Sequence, residues 1–185
     1  AGELGALSTV EAIAQAAAAS LQDGDATDAL LVFFGEWTNL AAVWLATKDP
    51  AAFPEWGPAL QAALVGEAEA LFTDVALVRD EDLRTLFTTT DSALTAPLAE
   101  LYGVPAADPA GANVTLPTER AGLLTRGAFL AGAAHAALTS PTRRGKFVRS
   151  RLLCSDVAPP PPGVVTTLDP TALDGTLRDL LESHR

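Results

Sequence analysis

The chain has 185 residues, 49% of them hydrophobic, and a formal net charge of −11 from 12 basic and 23 acidic side chains. That length supports one sizeable core with appendages. The acidic balance excludes general nucleic-acid binding, which runs on Lys and Arg neutralising phosphates, and no stretch reaches the roughly 18 uninterrupted apolar residues of a membrane-spanning helix.

Alanine and leucine dominate while β-branched residues are sparse, and those two lose least on entering a helix. The expectation is a mainly α protein, a compact helical bundle followed by a proline-rich C-terminal spacer and a terminal helix. In chain order, Ser8 followed by Glu11 is a capping signature for an alanine-rich helix that ends near Asp23-Gly24. Asp25 or Thr27 caps the next, in which Leu30, Phe34, Trp37, Ala41, Trp44 and Leu45 fall on one stripe. Trp37 and Trp44, seven apart, read as buried core rather than as a stacking platform. Lys48-Asp49-Pro50 stops this helix, and an irregular connection through Trp56 follows.

Pro58 opens a helix to about Leu77, with Leu60, Leu64, Ala68, Leu71 and Phe72 at helical spacing and Glu67 and Glu69 assigned to its polar surface. Asp80 to Asp82 precede a short helical stretch, Leu83 to Phe87, and Thr88 to Ser92 reads as a polar turn. A helix through Leu94 and Leu98 to Tyr102 stops at Gly103. Residues 106–118 read as an exposed loop containing the short glycosylation pattern Asn113-Val114-Thr115, a pattern that chance explains.

Thr118 opens a further helix in which Gly122, Gly127 and Gly132 imply close packing or a bend, with a second element crossing there. His135 near its end is a capping or hydrogen-bonded histidine. Before Arg120 the only cations are Lys48, Arg79 and Arg84, whereas five lie between Arg143 and Arg151. These five sit on a helix from Ser140-Pro141 through Leu153. Arg144 and Arg151 share the side of Phe147 and Val148, at the edge of an apolar interface, and are expected to pair with an acid from the N-terminal helices. Arg143, Lys146 and Arg149 face solvent.

Cys154 is the sole cysteine, so no internal disulfide can form. It is expected as a small buried apolar residue, a bond to a partner chain being the alternative. Pro159 to Pro162 form an extended spacer, and Leu173, Leu177, Leu180 and Leu181 mark the last amphipathic helix. The expected organisation is an N-terminal helical region 1–105, the loop 106–118, a helical region 119–154, a linker 155–170 and a terminal helix 171–185. The absence of Met, Ala1 included, leads us to expect a processed chain or an excised fragment.

Several separated blocks carry a resemblance. Arg120 to Leu130, Thr139 to Arg149 and Leu152-Leu-Cys resemble the domain-of-unknown-function family 1588. Lys48 to Trp56, Leu86 to Asp91 and Leu101 to Val104 resemble its usual neighbour, family 1592. The resemblance spans roughly residues 28 to 185 and implies an exported bacterial protein, at the periplasm or cell surface, with cytochrome-c-like parts. In such proteins a Cys-x-x-Cys-His motif follows a segment like Leu181 to Arg185 and attaches c-type haem. This chain has no such motif, so haem is placed outside it, with His184 as a neighbour of that site and Arg144 and Arg151 as alternative holders of its propionates.

Three functions are weighed from these residues and from what the resemblance implies. The first is a non-catalytic helical scaffold or docking domain whose partner is a protein or a missing cytochrome-like segment, with Arg144, Lys146, Arg151, Cys154, Trp37, Trp44 and Trp56 as structural or interface candidates. The second is a surface module that binds protein or glycan through exposed aromatics such as Trp56 and Tyr102. A hydrolase is third, because no nucleophile motif, phosphate loop or zinc spacing is present. No catalytic residue, metal ligand or cofactor within the chain is assigned.

Overall fold

The computed structural model describes residues 8–21, 24–105 and 112–163, together with Asp179 and Glu182, which are both helical. The expected terminal helix over 171–185 otherwise lies outside the described residues. The protein is mainly α, as its composition predicts. Its longer helices are α1 (Val10–Leu21), α2 (Gly24–Thr38) and α4 (Pro58–Phe72), joined by the short α3 (Ala41–Leu45).

Helix α4 is the centre. Proline at its first turn fixes the backbone for entry, and Leu60, Leu64, Val65, Ala68, Leu71 and Phe72 are buried along it. Helices α2, α3, α5 (Ala96–Tyr102) and α6 (Gly127–Gly132) and strand β1 (Asp91–Leu94) all pack against it. Phe34 of α2 stacks on Phe72 with ring centroids 4.5 Å apart. Each large apolar side chain buried there contributes about 1.5–3 kcal/mol of transfer free energy.

The N-terminal half corrects one expectation. The stripe from Leu30 to Leu45 does not run along a single helix, because Asn39 adopts φ +59° between α2 and α3. That left-handed residue resets the register. Leu40 and Val43 turn inward, while Trp44 and Leu45 are 50% and 83% exposed. Trp37 stays partly buried against the core. The first cap is Thr9 rather than Ser8, its hydroxyl accepting from the Ala12 N–H at 3.1 Å.

Two stretches read as polar turn and exposed loop instead form a hairpin-like ladder. Strand β1 pairs antiparallel with β2 (Ala112–Thr115), Ser92 opposite Val114. Ser92 and Leu94 face the core, so the Thr88 to Ser92 turn is in part a strand. Asn113 is exposed on β2.

The single helix expected from Thr118 to His135 is also broken. Two 3-10 turns, Thr118–Arg120 and Leu123–Thr125, precede α6. The cause is Gly122, at φ +72°, whose N–H donates to Thr89 O at 2.8 Å and where a Cβ would lie 2.2 Å from the Phe87 backbone. Gly127 meets α4 just as closely, a Cβ there falling 2.4 Å from Leu64 Cδ2. Close crossing, expected from these glycines, is what both positions provide. Helix α7 (Pro141–Phe147) follows and runs on as a wide turn through Leu152. Ser140 caps it, accepting from the Arg143 N–H.

Candidate functional site

Four elements converge on one buried carboxylate. Glu67 of α4 accepts from Ser92 of β1 at 2.6 Å, from the Tyr102 hydroxyl of α5 at 2.5 Å and from Arg126 Nη1 at 3.4 Å. Arg126 Nη2 also donates to the carbonyls of Asp91 at 2.7 Å and Thr89 at 3.3 Å. The Gly127 N–H donates to the Tyr102 oxygen at 2.8 Å, closing the network. Both charged side chains are sealed, at 0% exposure for Arg126 and 1% for Glu67. Such a pair persists because breaking it would leave an uncompensated charge in the interior.

The electrostatics agree with a structural role. Burial pulls the Arg126 guanidinium below its ordinary value, and the facing Glu67 carboxylate opposes that shift. Burial, then the Glu67 charge and hydrogen bond, push the Tyr102 hydroxyl far above its usual value. The Glu67 carboxylate is sealed among three donors, and the Tyr102 hydroxyl is engaged by Glu67 and the Gly127 N–H.

Sequence reading placed Glu67 on the polar surface, and the structure corrects this. The signal was present: Leu60, Leu64, Glu67 and Leu71 are spaced four, three and four apart, which puts Glu67 in the core stripe. Arg126 carried no comparable signal, its partner lying 59 positions away. Tyr102, read as an exposed aromatic, is a half-buried link between this network and a cavity.

That cavity, of about 270 Å³, lies between the Lys48–Trp56 connection, α5, α6 and the start of α7. Leu60, Leu64, Leu101, Leu130 and Leu138 give it apolar walls, and Trp56 and Tyr102 line it too. Lys48 donates to the carbonyls of Ala131 at 2.9 Å and His135 at 3.0 Å, and its ammonium sits 5.5 Å from the Trp56 ring centroid. The Trp56 indole N–H donates to Ala46 O at 3.1 Å. The Arg120 guanidinium lies 4.6 Å from the Tyr102 ring centroid. Arg144 Nη1 donates to Thr139 Oγ1 at 2.7 Å. His135 lines the same cavity.

Helix α7 divides its cations between two sides. Arg144 faces this cavity, whereas Arg143, Lys146 and Arg151 line a second one of about 330 Å³ over Phe129 and Phe147. Those two rings meet edge to face at 4.9 Å and hold α7 on α6. Arg143, Lys146, Arg149 and Arg151 are exposed. Arg151 shares a shallow surface cavity with Asp28, Glu36 and Glu69. Among the described residues, however, neither Arg144 nor Arg151 forms an ion pair. The expected pairing with an N-terminal acid is therefore corrected. Arg144 is held by the Thr139 hydroxyl and Arg151 is exposed, because α7 docks through Phe147.

Cys154 is the other correction. It is exposed and adopts φ +48°, at the reversal that ends the wide turn after α7, instead of being buried. The Trp37 indole N–H donates to Arg151 O at 3.2 Å, tying that turn to α2. Trp44 lines neither of these two cavities and is half exposed, next to the exposed Leu45 in the chain. Among the described residues no cluster of three His, Cys, Asp or Glu is placed to hold a metal, and no helix is long and apolar enough to cross a membrane.

An α4-centred helical domain locked by a buried ion pair, with two cation-lined cavities on either side of α7, defines the class. Residues 1–104 match the family described as PSD4, a protein of unknown function (DUF1592), and residues 120–185 match PSCyt3, a protein of unknown function (DUF1588). The chain belongs to the DUF1592 family, with the DUF1588 segment following it. No curated protein and no solved structure gives a match.

Proposed function

We propose that this chain is a non-catalytic helical scaffold that docks a protein partner within an exported bacterial protein linked to c-type cytochrome electron transfer. The observation that carries this reading is the run of exposed cations on α7 and the wide turn after it, Arg143, Lys146, Arg149 and Arg151, on a chain of net charge −11. A cationic patch on an acidic body steers an acidic partner surface into one orientation. The sealed Glu67–Arg126 network supports the scaffold part, because it locks four elements and offers no reactive group.

The cytochrome link rests on the resemblance to exported, cytochrome-linked proteins. Covalent c-type haem needs two cysteines and a histidine in one motif, and this chain has one cysteine. Its own residues do not fit the group, so the haem belongs to another segment or chain. A second reading, a surface module for protein or glycan, is favoured by Trp44, which is half exposed and followed by the exposed Leu45. Loss of partner binding on Trp44→Ala, with Arg149→Glu silent, would move the conclusion to that reading.

The test is the intact mass and visible spectrum of the protein isolated from its native source. A species larger than 19.1 kDa with covalent haem absorption is expected. A native mass equal to this chain, with no visible absorption, would overturn the cytochrome link. In the native protein, Arg143→Glu with Lys146→Glu and Arg149→Glu should weaken partner association, most strongly at low salt.

A further inference from the structure

The geometry points to the cavity between Trp56, Tyr102 and α6 as a binding site for a small amphipathic carboxylate, a compact hydrocarbon body with one anionic head. Three observations carry this. At about 270 Å³ the cavity is just below the usual size of ligand pockets, and its walls are mainly apolar, with leucine the commonest residue, so it accepts an apolar body and disfavours a fully hydrated ion.

Its charge is opposite to that of the protein. Lys48, Arg120 and Arg144 line it, and Glu55 is the only carboxylate among the described lining residues. None of the three cations forms an ion pair among the described residues. Each is instead positioned by neutral groups: Lys48 by the Ala131 and His135 carbonyls, Arg120 by the Thr125 carbonyl at 3.4 Å and the Tyr102 ring, Arg144 by the Thr139 hydroxyl. An ammonium with three donors and guanidiniums with five keep N–H groups for an anion. Charge-assisted bonds from such prepositioned groups are the strong ones.

The walls are also fixed before any ligand arrives. Tyr102 is held by Glu67 and the Gly127 N–H, and Trp56 by Ala46 O. Little ordering cost remains on binding. Desolvation, then Arg143, lowers the Lys48 ammonium from its usual value, and a bound carboxylate would offset both. This site does not depend on the docking reading, since Arg144 faces this cavity whereas Lys146 and Arg151 line the other one.

The experiment is a titration of the full chain with hydrocinnamate, followed by the Trp56 indole N–H resonance, identified through Trp56→Phe. Phenylpropanol and acetate serve as body-only and head-only controls. Saturable binding that shifts the Trp56 signal is expected, with each control at least about tenfold weaker. Arg144→Gln should weaken hydrocinnamate about tenfold while Arg149→Gln, at a guanidinium that bonds Ser155 away from the cavity, leaves it unchanged. Arg144 makes one side-chain bond to Thr139, so its loss spares the fold. Equal binding of acid and alcohol, equal binding of acetate, equal effects of the two arginine variants, or no shift at millimolar hydrocinnamate would each overturn the assignment.

Discussion

Helices α1 and α4 are written in nearly the same alphabet and meet opposite fates. α1 reads VEAIAQAAAASL and buries no residue, leaving Val10 78% exposed. α4 reads PALQAALVGEAEALF and buries seven, an acid among them. Both have the propensity to form, so propensity does not separate them. What separates them is area. Ala12 and Ala16 are the half-buried positions of α1, and alanine brings little apolar surface to a contact. α4 presents Leu60, Leu64, Leu71 and Phe72 to five neighbouring elements. A helix holds a domain together through what its face can bury.

The largest effect should come from the one charged residue in that face. Glu67→Ala leaves Arg126 unpaired in the interior, and about 3–5 kcal/mol of stability should be lost in urea unfolding. A joint Glu67→Met and Arg126→Met replacement should recover most of that loss, because an apolar pair of similar volume removes the orphaned charge. Loss as great in the double variant as in the single would show that the hydrogen bonds to Ser92, Tyr102 and the Thr89 and Asp91 carbonyls matter more than charge pairing.

Next comes the apolar part of the same face. Leu64 is fully buried and touches the position where Gly127 crosses α4, so the space it leaves cannot collapse easily. Leu64→Ala should cost about 3–5 kcal/mol, the upper part of the range for such cavities. Tyr102→Phe is milder. It removes one donor to Glu67 and one acceptor for the Gly127 N–H, and should cost about 1–3 kcal/mol with the cavity shape retained.

These residues also show what a sequence exposes and what it hides. Helix α4 and its proline start were legible from spacing, as were the Gly103 stop, the Ser140 cap and the close crossing at Gly122 and Gly127, whereas the break before α6 was not. Periodicity reports each segment against its own axis. It missed the reset at Asn39, where one left-handed residue turned Trp44 and Leu45 outward, and the pairing of β1 with β2, which joins two segments too short to show alternation. Glu67 was hidden by residue type, since an acid in an apolar stripe is read as surface. Arg126 was hidden by distance, because no local pattern announces a partner on another element. In the candidate site, the basic character of α7 was visible, but its division between Arg144 on one side and Arg143, Lys146 and Arg151 on the other required the fold.

The smallest effect tests the other half of the comparison. Ile13 is the second large side chain on the outer side of α1 and is about half exposed. In the folded state it makes no core contact that truncation would remove, and alanine is the better helix former. Ile13→Ala should therefore change stability by less than about 0.5 kcal/mol, of either sign, in the same unfolding assay. A loss above about 1 kcal/mol would mean that the outer face of α1 is covered in solution, since only burial gives a surface isoleucine that much weight. The distinction is sharpened by repeating the measurement across protein concentrations: a covered face between copies makes the effect grow with concentration, and an open one leaves it constant.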